Sequence, residues 1–140
     1  MKKHHLYRQN FTLIEVVVAI VIVVTMASVA APIYLNYIKS ANVKAAKTQI
    51  KELENALTGY RLDVGSYPDG EDGLEALVEN LQDEEKWNGP YIRPRVPKDP
   101  WGNDYIYVCP GENGDFDLSS YGADGQPGGE DENADINNWE

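Results

Sequence analysis

From Val16 to Leu35 the chain is apolar almost without interruption; apart from Thr25, Ser28 and Pro32 it is Ala, Val, Ile, Leu, Met and Tyr. A run of roughly twenty such residues is long enough to cross the hydrocarbon core of a bilayer as one helix. Pro32 lies inside it. Because proline removes one helical hydrogen bond and crowds the preceding turn, a kink or a locally unwound stretch near Ala27 and Ser28 is expected there, and not a stop. From Lys39 the pattern changes. Ala46, Ile50, Leu53, Leu57, Tyr60 and Val64 recur at alternating four- and three-residue steps, while Lys44, Lys47, Lys51, Glu52 and Glu54 fill the opposite face. The two halves read as one helix from Phe11 to about Asp63, ended by Gly65.

Beyond it, Gly65-Ser66-Tyr67-Pro68-Asp69-Gly70 is turn chemistry. A short helix is predicted over Gly73 to Val78, with Leu74, Leu77, Val78 and Leu81 on one side, capping the apolar face of the long helix. Pro90, Pro94, Pro97 and Pro100 rule out regular structure in the next stretch, which reads as an ordered loop pinned by Trp87, Tyr91 and Trp101. Tyr105 to Cys109 and Phe116 to Ser120 alternate as two strands of a small antiparallel hairpin lying on the helix. The fold class is α+β: a long N-terminal helix, transmembrane in its first half and amphipathic in its second, under a small antiparallel β-sheet head.

Charge sharpens this picture. The chain carries a net charge of -11, and from Glu112 onward it has acidic residues and no Lys or Arg. Nucleic acid is therefore excluded as a partner and a cation is favoured. Lys2, Lys3 and Arg8 precede the apolar run without an acidic residue among them, which places the amino terminus in the cytoplasm and the head across the membrane. His4 and His5 belong to the same polar leader. Cys109 is the single cysteine, so no internal disulfide forms; among aromatic and β-branched neighbours it reads as a buried small hydrophobe. With no Ser, His, Asp arrangement, no phosphate-cradling glycine loop and no histidine in the head to activate Cys109, the chain is not read as an enzyme.

Glu15 stands at the mouth of the apolar segment, where a carboxylate in lipid is costly unless paired. A basic leader ending just before Phe11-Thr12-Leu13-Ile14-Glu15, followed by an apolar helix, resembles the class III signal of type IV pilins and type II secretion pseudopilins. The resemblance implies cleavage between Asn10 and Phe11 by a prepilin peptidase, N-methylation of Phe11, and assembly through Glu15 and Thr12, the carboxylate meeting the amino terminus of a neighbouring subunit. Asn10 departs from the pattern, which has glycine before the Phe. An ordinary secretory signal cut among Ala27 to Ala31 is the alternative; Glu15 and the continuation through Ile33, Tyr34, Leu35 and Tyr37 argue against it.

Further blocks look like those of the major pseudopilin of type II secretion, in that family's order: Glu54-Asn55-Ala56-Leu57, Tyr60-Arg61-Leu62-Asp63, Tyr67-Pro68, Gly73 to Leu77, Gly89 to Ile92, Asp99 to Asn103 and Ser120 to Gly125. The resemblance implies a pilin-like fold with a leader over 1–10, a transmembrane and filament-core helix over 11–35, its amphipathic continuation over 36–64 and a head over 65–140. It further implies a bacterial inner-membrane, single-pass subunit with a periplasmic head. Such a subunit polymerises helically with copies of itself, and with minor pseudopilins and inner-membrane assembly proteins, to drive export of folded proteins across the outer membrane. A type IV pilin for adhesion or motility, and a membrane-tethered calcium-binding module that never polymerises, are the alternatives.

The stretch Tyr121 to Ile136 is dense in Asp, Glu, Asn and Gly, and calcium takes six to eight hard oxygens from carboxylates and carbonyls. It fails as an EF-hand, because Gln126 and Gly128 fall at the third and fifth positions counted from Asp124. The resemblance implies one calcium held by Asp124, Asp131 and Asp135 with the backbone of Tyr121 and Gly129. Glu130, Glu132 and Asn133 remain alternatives to Asp131, and a solvated acidic tail is the plainer reading of the same composition.

Overall fold

The computed structural model describes residues 11–140, and the chain divides into two compact units at Ile38 and Lys39. An unbroken α-helix, α1, runs Leu13–Val64. It starts two residues later than expected because Thr12 and Glu15 form a reciprocal cap. The Glu15 amide donates to the Thr12 hydroxyl at 3.3 Å, while Glu15 Oε2 accepts the Thr12 amide at 2.8 Å and its hydroxyl at 2.9 Å. Gly65, at φ +103°, ends the helix and donates its N–H to the Arg61 carbonyl at 2.8 Å.

In the first unit every described side chain is exposed, the large apolar ones from Phe11 at 84% to Ile38 at 38%. One window of α1 reaches a mean hydropathy of 2.7, long and apolar enough to cross a membrane. The expected unwinding at Ala27 and Ser28 is absent, since α1 passes through Pro32 as helix. Proline takes away only the donor to one carbonyl. The other polar groups nearby are satisfied inside the helix, Thr25 donating to Val21 and Ile22 and Ser28 to Val24 and Thr25 at 2.8–3.1 Å.

In the second unit, Ala46, Ile50, Leu53, Leu57 and Tyr60 bury the predicted face of α1, with Leu53 and Leu57 at 1% and 0% exposure. Val64 packs on the edge of this core, half-buried. The predicted short helix is a single 3-10 turn, Gly73–Leu77, burying Leu74, Ala76 and Leu77. Val78 and Glu79 both donate to the Glu75 carbonyl, which rounds off the last turn. Asn80 then closes its own turn, accepting the Glu84 amide and donating to the Glu84 carbonyl. Leu81 is consequently left exposed.

The aromatic loop is pinned as anticipated at two points. Trp87 Nε1 donates to the Ala76 carbonyl at 3.0 Å, and the Tyr91 hydroxyl donates to Asp63 at 2.8 Å; Trp101 packs against the core.

Three antiparallel strands, β1 Ile106–Val108, β2 Asp117–Ser120 and β3 Ile136–Asn137, lie in the order β1-β2-β3. Ile106 pairs with Ser119 and Val108 with Asp117 across the hairpin, and Ser120 pairs with Ile136. Tyr105 and Tyr107 face inward and reach past the sheet, Tyr105 donating to Gln49 on α1 at 2.5 Å and Tyr107 to the Pro68 carbonyl at 2.8 Å. Burial holds both phenols well above their ordinary pKa. β2 does not alternate, because all four of its residues are buried. Cys109 is half-buried, its thiol 3.6 Å from the Asp115 carbonyl, not a fully enclosed core residue.

Candidate functional site

Two places hold the residues singled out in the sequence. At the amino-terminal end, Phe11 is 84% exposed and Glu15 finds hydrogen-bond donors within its own chain, both from Thr12. The carboxylate therefore has a local partner, but that partner is neutral: it supplies donors and no counter-charge. Asn10, and with it the expected cleavage point, lies outside the described residues.

At the carboxyl-terminal end, residues 121–135 form a loop that leaves β2 and returns as β3. Asp124 is exposed and accepts the Gln126 amide on Oδ1 at 3.1 Å, an Asx turn. Both oxygens of Asp135 lie within hydrogen-bond distance of the Gly128 amide, at 3.0 and 2.9 Å. Asp131 is exposed at φ +56°, where it opens the 3-10 turn Asp131–Asn133. Glu132 is committed elsewhere, paired with Lys39 at 2.9 Å. Asn133 donates its amide to the Glu130 carbonyl at 3.0 Å.

Two glycines set how tightly this loop closes. A methyl group on Gly122, φ +65°, would lie 2.6 Å from the Glu132 carbonyl oxygen and 3.0 Å from that of Ala134; one on Gly129, φ +99°, would lie 2.5 Å from that of Asn133. The backbone carbonyls of residues 132–134 are thus drawn against the glycines, and the Ala123 amide donates to Glu132 at 2.9 Å. Among the described residues no three His, Cys, Asp or Glu side chains converge as a metal cluster. The loop instead offers close-packed carbonyls beside separate carboxylates. Carboxylate and carbonyl oxygens are the ligand types that a hard cation such as calcium takes.

Sequence reasoning passed over two buried carboxylates that hold the loops. Asp99, 4% exposed, accepts the amides of Trp101 and Asn103 on Oδ1 and the Ser120 hydroxyl on Oδ2. Asp117, 9% exposed, accepts the amides of Glu112 and Asn113 and the Asn113 side chain, folding the hairpin loop onto itself. A signal for the first was present: an Asp followed by turn residues and, four positions on, an Asn is a side-chain-to-backbone turn motif.

A model of the family described as Type II secretion system (T2SS), protein G matches residues 33–139. The chain belongs to the type II secretion system protein G family. Among protein G relatives, the type II secretion system core protein G of Vibrio cholerae serotype O1 is 49% identical over 133 residues, covering 93% of this chain and 90% of that protein. That of Pseudomonas aeruginosa is 44% identical, covering 95% and 96%. The crystal structure of the major pseudopilin from the type 2 secretion system of enterohaemorrhagic Escherichia coli superposes with a TM-score of 0.63 at 40% identity, over 75% of this chain and 92% of that one. The protein G match bears out the pilin-like α+β fold and the pseudopilin identification, in preference to a type IV pilin. This protein G chain is a major pseudopilin, a structural component of type II secretion.

Proposed function

We propose that this chain is the repeating subunit of a periplasmic pseudopilus, anchored in the inner membrane with its head in the periplasm until assembly. It is cleaved before Phe11 and N-methylated there, and polymerises by burying the apolar half of α1 among its neighbours. The observation that carries this reading is the bare apolar rod of α1 with a carboxylate, Glu15, capping its first turn. In a monomer such a rod is tolerated only in lipid; in an assembly it is covered by copies of itself. Thr12 hydrogen bonds keep Glu15 poised but leave its charge uncompensated, so a neighbour's terminal amine in the same apolar layer completes it. Contacts of this head-to-tail kind do not close into a ring, and they propagate as a helical fibre. Growth of the fibre moves folded substrates toward an outer-membrane channel, with minor pseudopilins, inner-membrane assembly proteins and a prepilin peptidase as partners. The role is mechanical and not enzymatic.

The head takes one calcium through Asp124, Asp131 and Asp135 and through backbone oxygen at Tyr121 and Gly129. When bound, the ion ties the outgoing and returning arms of the loop together, in a head that has a single cysteine and so no disulfide to do it. Extracellular modules bind calcium with dissociation constants of about 0.1–1 mM, and a tenfold excess over that value stabilises by about 1.4 kcal/mol. Chelation should accordingly lower the melting temperature by about 5–10 °C; an unchanged melt rejects the ion. For the filament reading, deleting the gene in its host should abolish exoprotein export and leave pilus-driven motility intact. Export that persists, or motility that is lost in its place, overturns it.

A further inference from the structure

The start of the carboxyl-terminal loop is held by one buried carboxylate acting through two neighbours. Asp99 accepts the Ser120 hydroxyl at 2.7 Å and the Asn103 amide at 2.8 Å. Ser120, itself fully buried, accepts the Gly122 N–H at 3.3 Å. Asn103 donates its side-chain amide to the Gly122 carbonyl at 3.0 Å. Both polar groups of Gly122 are therefore fixed from the Asp99 side. A peptide unit is planar and trans, so the Tyr121 carbonyl points opposite to the Gly122 N–H; holding the N–H on Ser120 aims the Tyr121 carbonyl away from the Asp99 network. Asn103 also backs the next turn: a methyl group on Gly125 would lie 3.3 Å from its Oδ1.

We propose that Asp99, through Ser120 and Asn103, is the positioning residue of the calcium loop. It sets the direction of the Tyr121 carbonyl and the path of the chain into Asp124 before the ion arrives. This rests on the calcium reading above. Hydrogen bonds to charged acceptors are the strong ones, and a fully satisfied buried network is rigid. Ligands pre-set by such a network bind without the cost of ordering, so groups that touch no ion still govern affinity, commonly by 10- to 100-fold.

The test is calcium titration by calorimetry on the full-length chain in detergent micelles, with melting curves in chelator on the same samples. Asn103→Ala, at a half-buried position, and Ser120→Ala should each weaken calcium binding about tenfold and shrink the calcium-induced rise in melting temperature. Asp124→Ala serves as the ligand control. A role confined to general stability would lower the chelated melt and leave the calcium dissociation constant within twofold of wild type; that result overturns the proposal. Should Ser120→Ala not fold, Asn103→Ala decides alone. If wild type binds no calcium, or Asp124→Ala binds it normally, the calcium reading fails, and this inference with it. If those two behave as expected and the Asn103 and Ser120 variants bind like wild type, only the positioning role falls.

Discussion

Gly122→Ala and Gly128→Ala form a matched pair that measures how tightly the carboxyl-terminal loop closes. Both glycines sit at positive φ, +65° and +93°, so in each the new methyl carries the backbone penalty of a left-handed conformation, about 1–2 kcal/mol. They differ in what the methyl meets. At Gly128 nothing lies within 4 Å; at Gly122 it would sit 2.6 Å from the Glu132 carbonyl oxygen, 2.9 Å from the Asn133 carbonyl carbon and 3.0 Å from the Ala134 oxygen. These are backbone atoms and cannot rotate away, so the returning arm must move and the 2.9 Å bond from the Ala123 amide to Glu132 is lost. Overpacking of this kind costs about 1–3 kcal/mol more. Gly128→Ala should therefore destabilise by about 1–2 kcal/mol and Gly122→Ala by about 2–5 kcal/mol, and each kcal/mol moves the melting temperature of a head this size by about 4–8 °C. Thermal denaturation followed by circular dichroism, with calcium fixed, resolves the two. Equal melting temperatures for the pair, or Gly128→Ala the less stable, would show that the arms do not approach as described.

Leu57, fully buried at the centre of the α1 face, should cost about 2–5 kcal/mol as Leu57→Ala, read in the same denaturation assay. Tyr105 and Tyr107 have hydroxyl pKa values raised by burial, so their contribution is complete below the ordinary tyrosine value near 10 and is lost as pH rises above it, where the unfolded chain ionises first. Melting temperature should fall steeply above about pH 10. Tyr107→Phe should flatten part of that fall while losing about 0.5–1.5 kcal/mol at neutral pH, with its bond to the Pro68 carbonyl gone; an unaltered alkaline slope would contradict it.

Much of this architecture was legible because it rests on long periods. The apolar run from Val16 and the four-and-three spacing from Ala46 to Tyr60 extend over many turns, so local exceptions do not obscure them, and Gly65 marks the end as clearly as a residue type can. At Pro32 the expected unwinding did not occur, because a proline within a long helix costs one donor, to the Ser28 carbonyl, while the turns on either side keep theirs. β3 was invisible for a different reason. It is two residues long, and its ladder is continued by Asn138, which donates its amide to the Leu118 carbonyl and accepts the Leu118 amide on its side chain. The members of the loop were legible by composition, Asp124, Asp131 and Asp135 among them. The bond from Ser120, at the start of that loop, to Asp99 was not, because the 21 residues that separate the two are bridged only in the fold.

The most direct test of the account is Glu15→Gln, expressed in place of the native chain. Glutamine serves the helix cap as well as glutamate does, so the bonds to Thr12 survive and only the charge is removed. Fibres on overproduction and the exported fraction of a secreted protein are then scored together. The variant should reach the membrane at wild-type levels yet yield neither fibres nor export; wild-type amounts of both would contradict assembly through the Glu15 charge.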